Sequence, residues 1–491
     1  ESYSCVSADS WQGEVLMRTV LMTRILFYLA LTSKTFCSGL PHEALQYPEL
    51  VLKVPEITRK TLSNGLKLFY AKDSSLPIVR ATLFVPGGTH RDSLDQTGLS
   101  GFLSTMQVAG GTRKLKPDEL DLILESVGAE LNAGARARYQ TVSMKALSSD
   151  FEKILELFFE VALHPGFDSQ RFELERKNAL EGIRRRDDDP SNITARKFAN
   201  MIYQQHPEGN ETTMLTIASL SRDLLIKTHR QRFRPDGSQL LVVGDIDLDR
   251  LEELLEPYLA SWKTIGSKIE AAPEVSLEFE GEKAYVQKDI PQVSIRVGHK
   301  AITLKNSDLF PLMVMDRILG GGGFNSRLMK RIRTELGLAY SVYSWVGADV
   351  FYGTMGVNCG TKTEGAVQSL REILAAIRNI QDELVSAEEL ELARDTIVNQ
   401  FVFKFATREQ VANRMLFFEQ AGLPDDFMET YLAAIKKVSR EDVKRVARQY
   451  FRPDQLKILL VGDFSRIKDE MEKEFGKFRQ IKLETFDSKG S

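Results

Sequence analysis

One segment of this 491-residue chain occurs twice. LSRDLLIKTHRQRFRPDGSQLLVVGDI, Leu220 to Ile246, aligns without gaps with VSREDVKRVARQYFRPDQLKILLVGDF, Val438 to Phe464. Pro235 matches Pro453 and Gly244 matches Gly462, each pair 218 residues apart (453 − 235 and 462 − 244). Each copy reads as a capped helix, a turn at proline, a buried strand and a Gly-Asp turn into another helix. Similarity at a domain-sized period means two homologous halves rather than a solenoid. The halves are predicted at residues 40–265 and 274–491, joined by a weakly apolar linker over residues 266–273. In the first half, Ile57 to Arg80 holds two short strands around the turn Ser63-Asn64-Gly65. Ala81 to Val85 is a further strand, stopped by Pro86-Gly87-Gly88. Helical patterns cover Phe102–Val108, Pro117–Val127 and Phe151–Ala162, with a strand over Arg138–Leu147. The elements alternate without the β-α-β cadence of a parallel sheet, so the predicted class is α+β. At 43% hydrophobic and 27% charged, a chain of this length has material for two or more cores.

Charge and cysteine usage exclude several function classes. Net charge is −3, from 65 basic against 68 acidic residues, which gives no global reason to expect nucleic acid or an anionic membrane as partner. Cys5, Cys37 and Cys359 lie far apart and form no metal-binding pattern. Near the start, Arg18 and Arg24 precede ILFYLALT (Ile25 to Thr32), and the small residues Ser38 and Gly39 follow. That apolar core is too short to span a bilayer. The order predicts a leader over residues 1–39 cleaved near Gly39, export to the periplasm or another extracytoplasmic space, and no transmembrane domain in the mature chain.

The most distinctive stretch outside the repeat is Gly320 to Trp345, GGGGFNSRLMKRIRTELGLAYSVYSW. Four glycines follow an apolar run, Phe310 to Leu319, of helical length. Without Cβ atoms the backbone can turn sharply and another chain can lie close against it. Asn325 or Ser326 is placed to cap a short helix. Leu328, Ile332 and Leu336 form its apolar stripe, Gly337 ends it, and Ala339 to Trp345 is a predicted strand. The reversal brings Arg333 and Tyr340 towards each other, whereas Lys330 and Arg331 read as solvated. GGGGF is not a phosphate loop, because the following Gly-Lys-Ser/Thr is missing. Arg184-Arg185-Arg186 before Asp187-Asp188-Asp189-Pro190 is predicted to be a self-solvating block at a helix end.

FNSRL, then an Arg, then GLAYSVYS resembles the second homologous half of the insulinase/pitrilysin metallopeptidases, the zinc enzymes with the inverted motif. The resemblance extends over nearly all of Leu50 to Phe478. It implies two α+β domains in tandem, of the insulinase and mitochondrial-processing-peptidase kind. It also implies a substrate-binding stretch in which Arg333 and Tyr340 hold the peptide backbone, beside Gly321, Gly322, Phe324 and Asn325. In the family's active enzymes the first half carries GLAHFLEHM or close to it. The two His bind zinc and the Glu polarises the attacking water.

Here the corresponding segment, Gly98 to Met106, reads GLSGFLSTM. Gly98, Leu99, Phe102, Leu103 and Met106 keep the frame, but the chemical positions hold Gly101, Ser104 and Thr105. Glycine has no donor atom, and neutral hydroxyls are poor zinc ligands and poor bases near neutral pH. Glu181, in ERKNALEGIRRR, stands about where the family places its third ligand, and alone it cannot hold zinc. The expectation is therefore no catalytic residue, metal or cofactor in this chain, with zinc on a partner. Because the family encloses substrate between two two-domain halves, sometimes on separate chains, the resemblance implies a zinc-bearing insulinase-family subunit as partner in a hetero-oligomer. The chain would position a peptide substrate without cleaving it. The competing reading is a structural scaffold of the same fold, as in the core proteins of the bc1 complex.

Overall fold

The computed structural model describes residues 56–204, 206–264, 280–351 and 353–484. The leader predicted over residues 1–39 and the linker predicted over 266–273 lie outside the described residues. The strands predicted in the repeat, Gln239–Gly244 and Lys457–Gly462, are buried at every position and sit inside two six-stranded sheets. Cover on both faces is what a continuous apolar run provides for.

The first sheet is built from β1 (Thr58–Thr61), β2 (Lys67–Lys72), β3 (Ile78–Pro86), β4 (Glu130–Ala135), β5 (Tyr139–Leu147) and β6 (Gln239–Gly244), in the order β1-β2-β6-β3-β5-β4. The second is built from β7 (Glu282–Gln287), β8 (Gln292–Lys300), β9 (Ala339–Gly347), β10 (Thr354–Lys362), β11 (Lys457–Gly462) and β12 (Arg479–Gln480), in the order β12-β7-β11-β8-β10-β9. In each sheet the buried strand runs parallel to one neighbour, β2 or β7, and antiparallel to the other, β3 or β8. The mixed α+β class follows, and β1 with β2 is the predicted hairpin.

The principal helices of the first half are α1 (Leu99–Ala109), α2 (Phe151–Leu163), α3 (Ser169–Arg185), α4 (Pro190–Tyr203), α5 (Arg222–Arg232) and α6 (Leu248–Ser261). Those of the second are α7 (Leu309–Asp316), α8 (Ala366–Asp382), α9 (Ala387–Phe403), α10 (Arg408–Ala421) and α11 (Arg440–Tyr450). Helices α3, α4 and α5 and strand β6 recur as α9, α10, α11 and β11, with each boundary shifted by 218 (387 − 169 and 403 − 185, for example). The repeat therefore extends well upstream of the aligned segment. Ser221 and Ser439 cap α5 and α11, accepting from the N–H of Leu224 and of Asp442; such a cap contributes about 1 kcal/mol. Among the described residues no helix is long and apolar enough to cross a membrane.

Each sheet is closed on one face by its own half and on the other by the opposite half. Phe158 and Phe159 of α2 and Leu251 and Leu255 of α6 pack with Leu68, Val79 and Leu240. On the other face α10, from the second half, lies across β2 and β6, where Phe69, Ala71, Leu241 and Val243 are buried. Gln420 donates to Gln239 Oε1 (2.8 Å), and Lys67 pairs with Glu419 (2.7 Å), along that contact. Reciprocally, α4 lays Ile193, Phe198, Met201 and Ile202 on Ala284, Val286, Leu459 and Val461 of the second sheet. Burying one large apolar side chain stabilises by roughly 1.5–3 kcal/mol, so this exchange of equivalent helices binds the halves firmly.

One local expectation needs correction. The charge block does mark a helix boundary, with Pro190 starting α4 and Asp189 capping it by accepting from Ser191 N–H (2.8 Å). It does not solvate itself, however. Arg186 donates to the Thr212 carbonyl and pairs with Glu484 (3.3 Å), and Asp187 pairs with Arg196. The break between α3 and α4 turns these side chains towards neighbouring segments instead of each other.

Candidate functional site

Helix α1 is anchored at its start by a buried polar network. The Asp92 carboxylate accepts from Ser100 N–H (2.9 Å) and Ser100 Oγ (2.5 Å). Arg232 of α5 donates to Ser100 Oγ (2.6 Å), to the Gly87 carbonyl (3.0 Å) and to Asp92 (3.2 Å). Leu99, Phe102, Leu103 and Met106 face inward, against Phe172 and Ile183 of α3. The frame of the motif is thus core packing.

The three chemical positions divide between two sides of the helix. Gly101 and Thr105, one turn apart, are exposed, and a Cβ added at Gly101 would meet nothing within 4 Å. Thr105 Oγ1 donates back to the Gly101 carbonyl (3.3 Å). Ser104 turns inward, 2% exposed, and donates to the Ser100 carbonyl (3.1 Å). Glu181 lies on α3, which packs on α1, and its carboxylate accepts from Arg185 (2.7 Å) and Arg184 (3.5 Å). The Arg185 hydrogen bond, chiefly, holds that carboxyl below its usual range. These positions together offer one carboxylate, already engaged, and no imidazole. They do not fit a zinc ion, which needs three or four converging donors.

The fold does bring together two histidines that are distant in sequence. The rings of His90 and His206 are 5.0 Å apart, and His90 Nε2 lies 2.6 Å from Glu208 Oε1. His206 Nδ1 accepts from Glu208 N–H (3.2 Å). The His90 contact is the main influence holding the Glu208 carboxyl below its usual range. Among the described residues, no group of three or more His, Cys, Asp or Glu is arranged to hold a metal ion.

The glycine-rich stretch forms a compact reversal against β9. Helix α7 continues into a wide π-type turn over Arg317–Gly321, then a short turn over Gly323–Asn325, then a π-type helix over Met329–Glu335. Of the two predicted caps it is Ser326 that precedes the helix. Its carbonyl accepts from Lys330 N–H (3.0 Å), while its hydroxyl donates to the Gly323 carbonyl (2.7 Å). Asn325 belongs to the turn before it. The glycines have packing reasons. A Cβ at Gly320 would sit 2.3 Å from Ser344 N, at Gly321 2.5 Å from Asp316 Oδ2, and at Gly322 2.4 Å from the Arg317 carbonyl. The chain lying close against Gly320 is this protein's own β9. Gly322 and Asn325, with Arg317, Lys330, Glu388 and Leu392, line a cavity of about 170 Å³ beside α9.

Gly337, at φ +62°, then turns the chain into β9, and Arg333 and Tyr340 meet as the reversal requires. The Arg333 guanidinium carbon lies 5.2 Å from the Tyr340 ring and 4.9 Å from the Phe324 ring. Tyr340 is 82% exposed and Phe324 66%. Neighbouring arginines are paired: Arg327 with Glu389 (2.7 and 2.8 Å), and Arg331 with Glu372 (2.9 Å) and Glu335 (3.0 Å). Arg331 is therefore held by carboxylates, not merely solvated. Arg333 has no such partner among the described residues. Contact with the two rings leaves the Arg333 N–H groups without an oxygen acceptor. With the Tyr340 hydroxyl they can donate to a peptide carbonyl or a carboxylate.

Two family models match the chain, one described as Insulinase (Peptidase family M16) over residues 67–215 and one as Peptidase M16 inactive domain over residues 219–397. The uncharacterized zinc protease YmxG of Bacillus subtilis is 23% identical over 400 residues, covering 81% of this chain and 96% of the relative. An uncharacterized zinc protease of Mycobacterium leprae is 28% identical over 343 residues, covering 68% and 75%. Among solved structures, a peptidase M16 inactive domain from Pseudomonas fluorescens superposes with a TM-score of 0.74 at 19% identity, over 83% of this chain and 98% of that one. The periplasmic protease PqqL from Escherichia coli superposes with a TM-score of 0.70 at 16% identity, over 88% of this chain and 50% of that one.

Proposed function

The chain belongs to the insulinase family, peptidase family M16, and from that premise we propose that it is a non-catalytic subunit of a heteromeric zinc peptidase, which positions peptide substrate for a partner carrying the metal. The reading is carried by a contrast. Gly101, Ser104 and Thr105 have nothing with which to hold zinc, while Arg333 lies against the exposed rings of Phe324 and Tyr340 and has no carboxylate partner among the described residues. A scaffold gains nothing from a half-buried guanidinium held against two exposed rings without a counter-charge. An exported, periplasmic location belongs to the same proposal, supported by the leader-like order of residues 1–39 and by the likeness to PqqL.

In this role Arg333 donates to backbone carbonyls or a carboxylate of the bound peptide, through a fork that lysine cannot reproduce. Tyr340 directs its O–H at the carbonyl on which negative charge develops during attack. Phe324 limits the swing of the guanidinium. Losing one such donor costs roughly 10²–10³ in rate where the contact is of oxyanion type. Arg333→Ala and Tyr340→Phe should therefore leave assembly with the zinc-bearing partner intact and cut the peptidase rate of the pair at least about tenfold. Near-normal turnover in both variants, with assembly unchanged, would leave the chain a scaffold.

A further inference from the structure

The cover that α4 gives the second sheet extends over β7 and β11 to β8, where the Phe198 ring meets Arg296 and, beyond it, Trp345 of β9. On β8, Val293, Ile295 and Val297 are fully buried, and Ser294 and Arg296 alternate with them on the opposite face. The register sets Arg296 opposite Asn358 of β10, and Asn358 opposite Tyr343 of β9. A guanidinium, a carboxamide and a phenol thus stand in one row across three strands. Asn358 is half-buried and Tyr343 is 49% exposed.

Arg296 is the unusual member of the row. Its guanidinium carbon lies 5.0 Å from the Phe198 ring and 4.6 Å from the Trp345 ring. Trp345 lies across Gly356, where an added Cβ would come within 2.7 Å of the indole, and its Nε1 donates to Thr354 Oγ1 (3.1 Å). Arg296 Nε is buried with no hydrogen-bond partner, and among the described residues no carboxylate or carbonyl accepts from this side chain. Enclosing a cation without a counter-charge is costly; burial disfavours its charged form, and the nearby Tyr343 and Tyr203 phenols only partly offset that. The ring stacks explain how the charge is tolerated. They supply no oxygen acceptor for its N–H groups, which a carboxylate matches in pairs.

We propose that the row Arg296–Asn358–Tyr343 is a carboxylate-binding site for the peptide, taking an acidic side chain or the C-terminal carboxylate. The proposal rests on the substrate-positioning role given above and adds a substrate class to it. The row begins on the strand that carries Tyr340 and ends two strands away, about 10 Å across the sheet, within the reach of a short extended peptide. Its sequence signal is an arginine inside the alternating apolar strand QVSIRVGHK.

The test measures binding of three fluorescein-labelled short peptides to the full chain by fluorescence anisotropy. They differ only in carrying a central Asp with an amidated C-terminus, a central Asn with an amidated C-terminus, or a central Asn with a free C-terminal carboxylate. One of the two carboxylate-bearing peptides should bind about tenfold tighter than the fully amidated one, and which one identifies the source of the carboxylate. In Arg296→Met that difference should collapse. Tyr343→Phe and Asn358→Ala, which leave the Phe198 and Trp345 stacks in place, should each shrink it about threefold, so the test survives if Arg296→Met disturbs α4. Equal affinity for all three peptides, or a preference undiminished in all three variants, would overturn the site while leaving the positioning role standing. Failure of every peptide to bind would overturn both.

Discussion

Asp316 sits where the glycine turn folds back on β9, with Oδ1 2.5 Å from Ser344 Oγ and Oδ2 filling the space that a side chain at Gly321 would need. Burial pushes its carboxyl from the ordinary 3.8 up to about 6, against the opposing pull of Ser344 and Arg317. A folded state that holds its proton more tightly than the unfolded state has that contribution in full below about pH 4 and loses it as pH rises through about 6. At 1.36 kcal/mol per pH unit the loss is about 3 kcal/mol. Asp316→Asn can keep a hydrogen bond to Ser344 and has no proton to lose. Urea unfolding between about pH 4 and pH 7 should therefore show the wild type losing about 3 kcal/mol relative to the variant. Parallel pH profiles for the two proteins would refute this. Nothing in the sequence singles Asp316 out beyond its being one acid in the apolar run FPLMVMDRIL. The absence of donors at Gly101, Ser104 and Thr105 was legible, because it follows from residue identity alone. The meeting of His90 with His206, 116 residues on (206 − 90), was not, because no local pattern encodes it.

At the scale of elements, the reversal from α7 to β9 depends on close approach. A methyl at position 320 would lie 2.3 Å from Ser344 N and 2.9 Å from Leu328 Cδ1, so β9 would have to move. Gly320→Ala should lower stability by about 1–3 kcal/mol, measured by urea unfolding, and should weaken peptide binding because β9 carries Tyr340. Unchanged stability would mean that β9 can shift freely. The sequence made the repeated helices and strands legible, since their caps at Ser221 and Ser439 and their unbroken apolar runs are local signals. Strand β4, ELNAGA, went unpredicted because its alternation rests on one leucine and two alanines, with no β-branched or aromatic residue to favour a strand. The π-type turns were equally hidden, because their apolar spacing matches that of an ordinary helix. The closeness of Arg333 and Tyr340 was readable from the turn at Gly337, but the place of Phe324 beside the same guanidinium was not.

For the molecule as a whole, the exchange of α4 and α10 means that neither sheet is closed on both faces by its own half. The apolar residues of α4 and α10 predict helices but not destinations, since the same face would serve on either sheet. Expressed as separate polypeptides, the halves should each present an uncovered apolar face and aggregate. Produced together, they should elute as one soluble one-to-one complex in size-exclusion chromatography. A soluble, monomeric half on its own would count against the exchange. The same arrangement separates inheritance of shape from inheritance of chemistry. In the first half the three chemical positions of the motif lie on α1, whereas the helix lent to the other half is α4. Substitutions can silence a reaction on one helix without touching the other, so a lineage of such chains can change its trade while every copy still folds.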